Sequence, residues 1–264
     1  MRTARVRPPA VAGSFYPADA AGLRSYVDAV LADVEPPAGP VPKAVIAPHA
    51  GYVYSGPVAA SAYGPLRAAG GRVARVVLLG PAHRVGIDAI AAPSVDAFAT
   101  PLGDVRVDGA GRDALVEAGL VVVRDDVHAP EHSLEVQLPF LQVILGDVAV
   151  LPLAVGHAPA GRVADALDAV WGGDETLIVV SSDLSHYHDH VNASGLDRRT
   201  AAAIVANRPD LLGATDACGV RAIRGLLVAA RRHRLNVELL DLRTSADTAG
   251  DPERVVGYGA FVLA

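Results

Sequence analysis

The chain has 264 residues, 51% of them hydrophobic, and sets 23 Lys and Arg against 29 Asp and Glu for a formal net charge of −6. A mean hydropathy of +0.31 supports a large core, but no apolar run long enough to span a bilayer is free of charge or proline, which excludes a membrane span. The acidic balance and the lack of a dense basic stripe argue against nucleic-acid binding.

The N-terminal stretch 1–13 carries charge but no continuous apolar core of about 7–15 residues, so it does not read as a signal peptide. Cys218 is the only cysteine, so no intrachain disulfide can form and an oxidising compartment is not needed. The expected location is the cytoplasm.

Residues 19–34 place Leu23, Tyr26, Val27, Val30 and Leu31 on one stripe and predict an amphipathic helix. A proline-rich connection, 36–42, leads into the apolar strand 43–47, which runs into Pro48-His49. A helix is predicted over 56–66. The strand 73–79 then runs into Gly80-Pro81-Ala82-His83. Residues 87–107 read as a β excursion, with turn chemistry at Pro101-Leu102-Gly103-Asp104.

A helix over 112–118 and a short strand over 121–123 follow. The next helix, 133–145, contains Pro139, which must kink or restart it. A strand over 148–155, a helix over 161–171 and a strand over 177–180 lead to Ser181-Ser182-Asp183-Leu184-Ser185-His186. The remainder reads as a helix over 198–205, a helix from Val220 with Ile223, Leu227 and Val228 at helical spacing, and closing strands over 237–242 and 255–263. Strands alternating with helices predict an α/β fold, a single domain over 1–264 with a largely parallel or mixed central sheet flanked by helices.

His49, His83 and His186 each follow an apolar strand. In open α/β sheets, ligands gather beyond the carboxyl ends of the strands, so three neighbouring strands of this kind would bring their imidazoles to one crevice. His188 and His190 are expected on a solvated loop. Asp183 is placed either to accept an N–H from a ligand histidine or to cap a turn beginning at Leu184-Ser185.

In the segment 131–135, Glu131 and Glu135 share a helical face, as do His132 and Glu135, which offers an imidazole and two carboxylates to the pocket rim. His132 is a candidate for substrate or proton-relay contact, the alternative being a capping box with Glu135. Tyr52 and Tyr54 either hydrogen-bond a ligand or pack. Cys218 is either a small buried hydrophobe or a functional thiolate favoured by the start of the following helix. The basic run at 231–234 reads as the solvated end of that helix.

Several blocks together carry a resemblance: Ala12-Gly13-Ser14-Phe15-Tyr16-Pro17, Ala47-Pro48-His49-Ala50-Gly51-Tyr52-Val53-Tyr54-Ser55-Gly56, Gly80-Pro81-Ala82-His83, Glu131-His132-Ser133-Leu134-Glu135-Val136-Gln137-Leu138-Pro139-Phe140, and the block from Ser181 to His186. They resemble the signature blocks of the Memo family, whose bacterial members are component B of the AmmeMemoRadiSam system. That family is similar in fold to the class III extradiol dioxygenases.

The resemblance implies a metal pocket with His49, His83 and Cys218 as ligands and His186 beside the metal as an acid/base group. It points to Fe(II), with copper or zinc also suited to a thiolate-bearing set. It further implies an unidentified small-molecule substrate and functional partners among the AmmeMemoRadiSam components. One departure is that the family's cysteine block continues to a proline, whereas here Cys218-Gly219 is followed by Val220-Arg221-Ala222-Ile223.

Three function classes remain open. The first is a metal-dependent oxidoreductase with His186 as base, His132 and Glu135 being the other catalytic candidates. The second is a non-catalytic metal-binding or adaptor protein. The third is a metal-dependent hydrolase using His186 or Glu135 as base.

Overall fold

The computed structural model describes residues 3–35, 39–69 and 71–264. Part of the proline-rich connection, residues 36–38, lies outside the described residues. The strands are β1 (Val6–Arg7), β2 (Ala44–Ala47), β3 (Arg75–Pro81), β4 (Ile90–Ala92), β5 (Ala97–Thr100), β6 (Gly103–Val107), β7 (Val122–Val123), β8 (Ala149–Val155), β9 (Thr176–Ser181), β10 (His186–His188), β11 (Val237–Thr244) and β12 (Val255–Leu263). The helices are α1 (Ala20–Ala32), α2 (Tyr52–Tyr63), α3 (Gly109–Glu117), α4 (Asp125–His128), α5 (Leu138–Leu145), α6 (Ala160–Ala169), α7 (His190–Val205) and α8 (Val220–His233).

One mixed sheet runs in the order β1-β5-β6-β8-β3-β9-β2-β12-β10, with β11 added on β12 and β4 on β8. Its centre, β8-β3-β9-β2, is parallel, and β12 turns antiparallel against β2. Alternate side chains leave these strands to opposite faces. Val45, Ala47, Val76, Leu78, Leu177 and Val179 pack under α1, α2 and α5, while Ala44, Ile46, Val77, Leu79, Ile178 and Val180 pack under α6, α7 and α8. A parallel sheet covered on both faces needs continuous apolar strands, and burying each of these valine, leucine and isoleucine side chains contributes about 1.5–3 kcal/mol. The result is a single α/β domain, as the alternation of elements predicts.

Helix ends follow local chemistry. Asp19 caps α1 by accepting the Gly22 N–H at 2.7 Å. α7 begins at His190 rather than near 198, because Asp189 caps it through the Asn192 N–H at 3.0 Å, a start that shows no apolar repeat in sequence. The basic run closes α8 as expected: Arg232 pairs with Asp165 and Asp168 on α6, and His233 stacks on Trp171 with centroids 3.7 Å apart.

The predicted helix 133–145 is corrected. A 3₁₀ turn over Glu135–Gln137 precedes α5, and Pro139 restarts the helix from its first turn, where a missing N–H breaks no intrahelical bond. Glu131 and His132 therefore lie in a loop, and neither shares a helical face with Glu135. No described helix is long and apolar enough to cross a membrane.

Candidate metal centre

Strands β3, β9 and β2 lie side by side in parallel, so their carboxyl ends share one edge of the sheet. His49 follows β2, His83 follows β3, and His132 enters from the loop before α5. The ring centroids stand 5.2 Å apart for His49 and His83, 5.5 Å for His49 and His132, and 4.9 Å for His83 and His132. One nitrogen from each of these three residues lies within 4.8 Å of the others, so the group could hold a metal ion.

His49 is positioned by a buried polar chain. The Ser181 hydroxyl donates to the Ser133 carbonyl at 2.6 Å and accepts from Gln137 Nε2 at 2.8 Å. A hydroxyl has only one proton to give, so the 2.8 Å contact between His49 Nδ1 and Ser181 Oγ requires the imidazole to be the donor. His49 Nε2 is thereby left with a free lone pair. Burial first, and then the charge of His83, hold the His49 pKa down at about 3, which keeps the ring in its neutral, ligating form.

Asp183 accepts an N–H of the candidate ligand His49, but from the backbone, at 2.7 Å, and not from the ring, so it does not fix the tautomer. Its Oδ2 stands 4.0 Å from His49 Nε2, and no helical turn begins at Leu184 for it to cap. Burial raises its pKa.

Glu131, 1% exposed, accepts from His83 N at 2.6 Å and His83 Nδ1 at 2.9 Å. Burial alone would raise its pKa, but the His83 hydrogen bond and charge, joined by backbone N–H groups of Ser133 and His83, outweigh it and set the value at about 2. His132 is held at about 4, by burial and then by the charge of His49. Its Nδ1 is buried with no hydrogen-bond partner, 3.4 Å from Glu131 Oε1. A buried, unpaired nitrogen beside two other imidazoles is compatible with ligation, since such atoms are rarely left unsatisfied. Gly80 lets this loop come close: a Cβ there would stand 2.8 Å from Ser133 Oγ.

Cys218 reaches the same edge, with Sγ 3.4 Å from His49 Nε2 and 3.3 Å from the Asp183 N–H that it accepts. The next residue packs on β9 so tightly that a Cβ on Gly219 would fall 2.7 Å from Ser182 Cβ. Of the two readings of Cys218, the thiolate is not favoured without a cation: burial, then the Asp183 charge, push the thiol pKa up. A cation alongside would reverse that balance.

His186 donates Nδ1–H to the Leu184 carbonyl at 2.8 Å, and its charge acts on both His49 and Asp183. His188 is exposed. His190 is not on a loop but opens α7, where it bonds Thr244 Oγ1 at 2.9 Å.

Glu135 does not reach this edge. Its carboxylate accepts from Arg7 Nη1 at 2.7 Å, Ala10 N at 2.7 Å, Val11 N at 3.0 Å and Tyr16 Oη at 2.5 Å, and it is fully buried. It anchors the N-terminal segment. Tyr52 is buried and donates to the Val136 carbonyl at 2.7 Å, while Tyr54 is partly exposed at the start of α2. Sequence reading missed Ser181, Gln137 and the anchoring role of Glu131. The only available signals were their positions at a strand end and in loop-bordering motifs.

A doubly covered α/β sheet with three imidazoles at one edge defines a protein with a candidate metal centre. The chain belongs to the Memo family: the family described as Memo-like protein matches residues 7–262. It is 36% identical to a MEMO1 family protein of Methanopyrus kandleri, covering 97% of this chain and 98% of that one. It is 37% identical to one of Methanococcoides burtonii, covering 98% and 100%, and 34% identical to one of Aquifex aeolicus, covering 98% and 99%.

Proposed function

We propose that the protein is a metal-dependent oxidoreductase of a small molecule, holding one divalent ion on His49, His83 and His132 with Cys218 alongside. The observation that carries this reading is the cluster of three imidazole nitrogens within 4.8 Å of one another. His186 supports it: with Nδ1–H committed to the Leu184 carbonyl, its Nε2 keeps a lone pair and is suited to take a proton from a bound hydroxyl. Asp183 holds the His49 backbone and adds negative charge beside the cluster.

The ion is read as Fe(II) from the dioxygenase resemblance, with copper or zinc as alternatives; when bound, it supplies electron transfer and open coordination positions. The substrate class is small, aromatic or carbonyl-bearing compounds, and the proposed partners are the AmmeMemoRadiSam components. A cytoplasmic location accords with a single reduced cysteine.

The second reading, a metal-holding protein without turnover, rests on the thiol 3.4 Å from His49 Nε2, because a sulfur so close to reacting oxygen is open to oxidation. The hydrolase reading loses Glu135 as a base, since its carboxylate oxygens are occupied by the N-terminal segment. The test is metal analysis of protein purified without oxygen, followed by oxygen-uptake assays on small catechols. Metal-dependent uptake is expected. A fully metal-loaded protein that consumes no oxygen with any of them favours the metal-holding reading.

A further inference from the structure

Glu131 is the point through which all three candidate ligands are connected. Its carboxylate accepts four N–H groups: His83 N at 2.6 Å, His83 Nδ1 at 2.9 Å, His132 N at 3.0 Å and Ser133 N at 2.9 Å. The first two fix both the backbone and the ring of His83. The third fixes the backbone of His132. The fourth holds Ser133, whose carbonyl takes the Ser181 proton at 2.6 Å, and Ser181 in turn orients His49 at 2.8 Å.

Both carboxylate oxygens already accept backbone N–H groups, Oε2 from His83 and Oε1 from His132 and Ser133, so the carboxylate is the acceptor in the His83 Nδ1 contact as well. The proton shared with His83 therefore sits on Nδ1, and Nε2 carries the lone pair.

We propose that Glu131 is the positioning residue of the metal centre: it selects the Nδ1–H tautomer of His83, makes Nε2 the donor atom, and pins the loop that carries His132. The inference rests on reading the three-histidine cluster as a metal site. Replacing the carboxylate by a methyl group removes the acceptor that faces His83 Nδ1 and leaves the ring free to take the Nε2–H tautomer, in which Nε2 has no lone pair for an ion. A carboxylate or carbonyl behind a metal-bound histidine acts in this way generally, and its loss weakens metal affinity by about 10–100-fold.

The experiment compares wild-type protein with Glu131→Ala, both metal-free and oxygen-free, by calorimetric titration with Co(II) alone and by ¹H–¹⁵N correlation of the His83 ring. Wild type is expected to show the Nδ1–H form of His83. Glu131→Ala is expected to gain the Nε2–H form and to bind Co(II) about 10–100-fold more weakly. A folded Glu131→Ala with unchanged affinity and tautomer overturns the inference while leaving the metal reading intact. An Nε2–H ring in wild type overturns it whether or not the variant folds. Wild type that takes up no Co(II) overturns the metal reading and this inference with it.

Discussion

Cys218 Sγ stands 3.4 Å from His49 Nε2, joining residues 169 positions apart in the chain. The contact exists because the turn before α8 is laced to the end of β9: Cys218 N donates to the Asp183 carbonyl at 3.2 Å, and Gly219 N donates to Ser182 Oγ at 2.9 Å. A soft sulfur and a borderline imidazole are thus held side by side. Cys218→Ser is expected to weaken Cu(I) binding by a larger factor than Fe(II) binding, following ligand softness. Competition titrations with both ions check this, and equal losses would remove sulfur from the ligand set.

His186 lies beside the cluster but outside the group of three. His186→Ala is expected to leave metal stoichiometry intact and, once a substrate is in hand, to lower kcat by about 10²–10⁴-fold, the usual contribution of a general acid or base. Metal analysis and steady-state kinetics on the one variant separate the roles. Loss of the ion would make His186 a ligand instead.

The pair Arg7–Glu135, with an N–O distance of 2.7 Å and side chains 4% and 0% exposed, is structural. Arg7→Ala leaves a buried carboxylate without its cation and is expected to cost about 3–5 kcal/mol, read from urea denaturation. Metal content of the folded fraction should not change. A variant that keeps its stability but loses metal would return Glu135 to the site.

His128 is buried, donates Nε2–H to the Ala91 carbonyl at 2.9 Å and leaves Nδ1 without a partner. Burial is the main cause that lowers its pKa from 6.5 to about 4. Between those values the unfolded chain takes up a proton that the folded chain refuses. Stability from this residue is therefore complete above pH 6.5 and falls as pH drops toward 4, by an amount approaching about 3 kcal/mol. His128→Gln, which keeps an N–H donor, is expected to flatten that part of the pH profile when unfolding is measured at neutral and acid pH. An unchanged slope would contradict the assignment.

The central strands were legible because a sheet covered on both faces writes contiguous apolar runs, as in β3 and β9, and each run ended in a histidine-bearing loop. Three-histidine convergence was legible only in part. His49 and His83 stand out at strand ends, whereas the helical spacing of Glu131 and Glu135 suggests a helix-borne His132. Pro139 restarts the helix, as its position allows, but only after a 3₁₀ turn, which sends the two carboxylates to different partners. Glu135 finds Arg7 across 128 positions, and Ser181 finds His49 across 132. No local pattern encodes pairings at that range. The early start of α7 was hidden for the opposite reason, since its first turns carry a polar cap and little apolar period.

Metal content tests the three-histidine centre most directly. One measurement decides the matter: elemental analysis of wild type and of the His49→Ala/His83→Ala double variant, both purified without oxygen. Because His49 is 2% exposed and bonded to Ser181, its loss should also cost about 1–3 kcal/mol, so content is read on the folded fraction. The expected result is about one ion per wild-type chain, as one tetrahedral or facial site would hold, and almost none in the variant. Equal metal content in the two proteins would contradict the account.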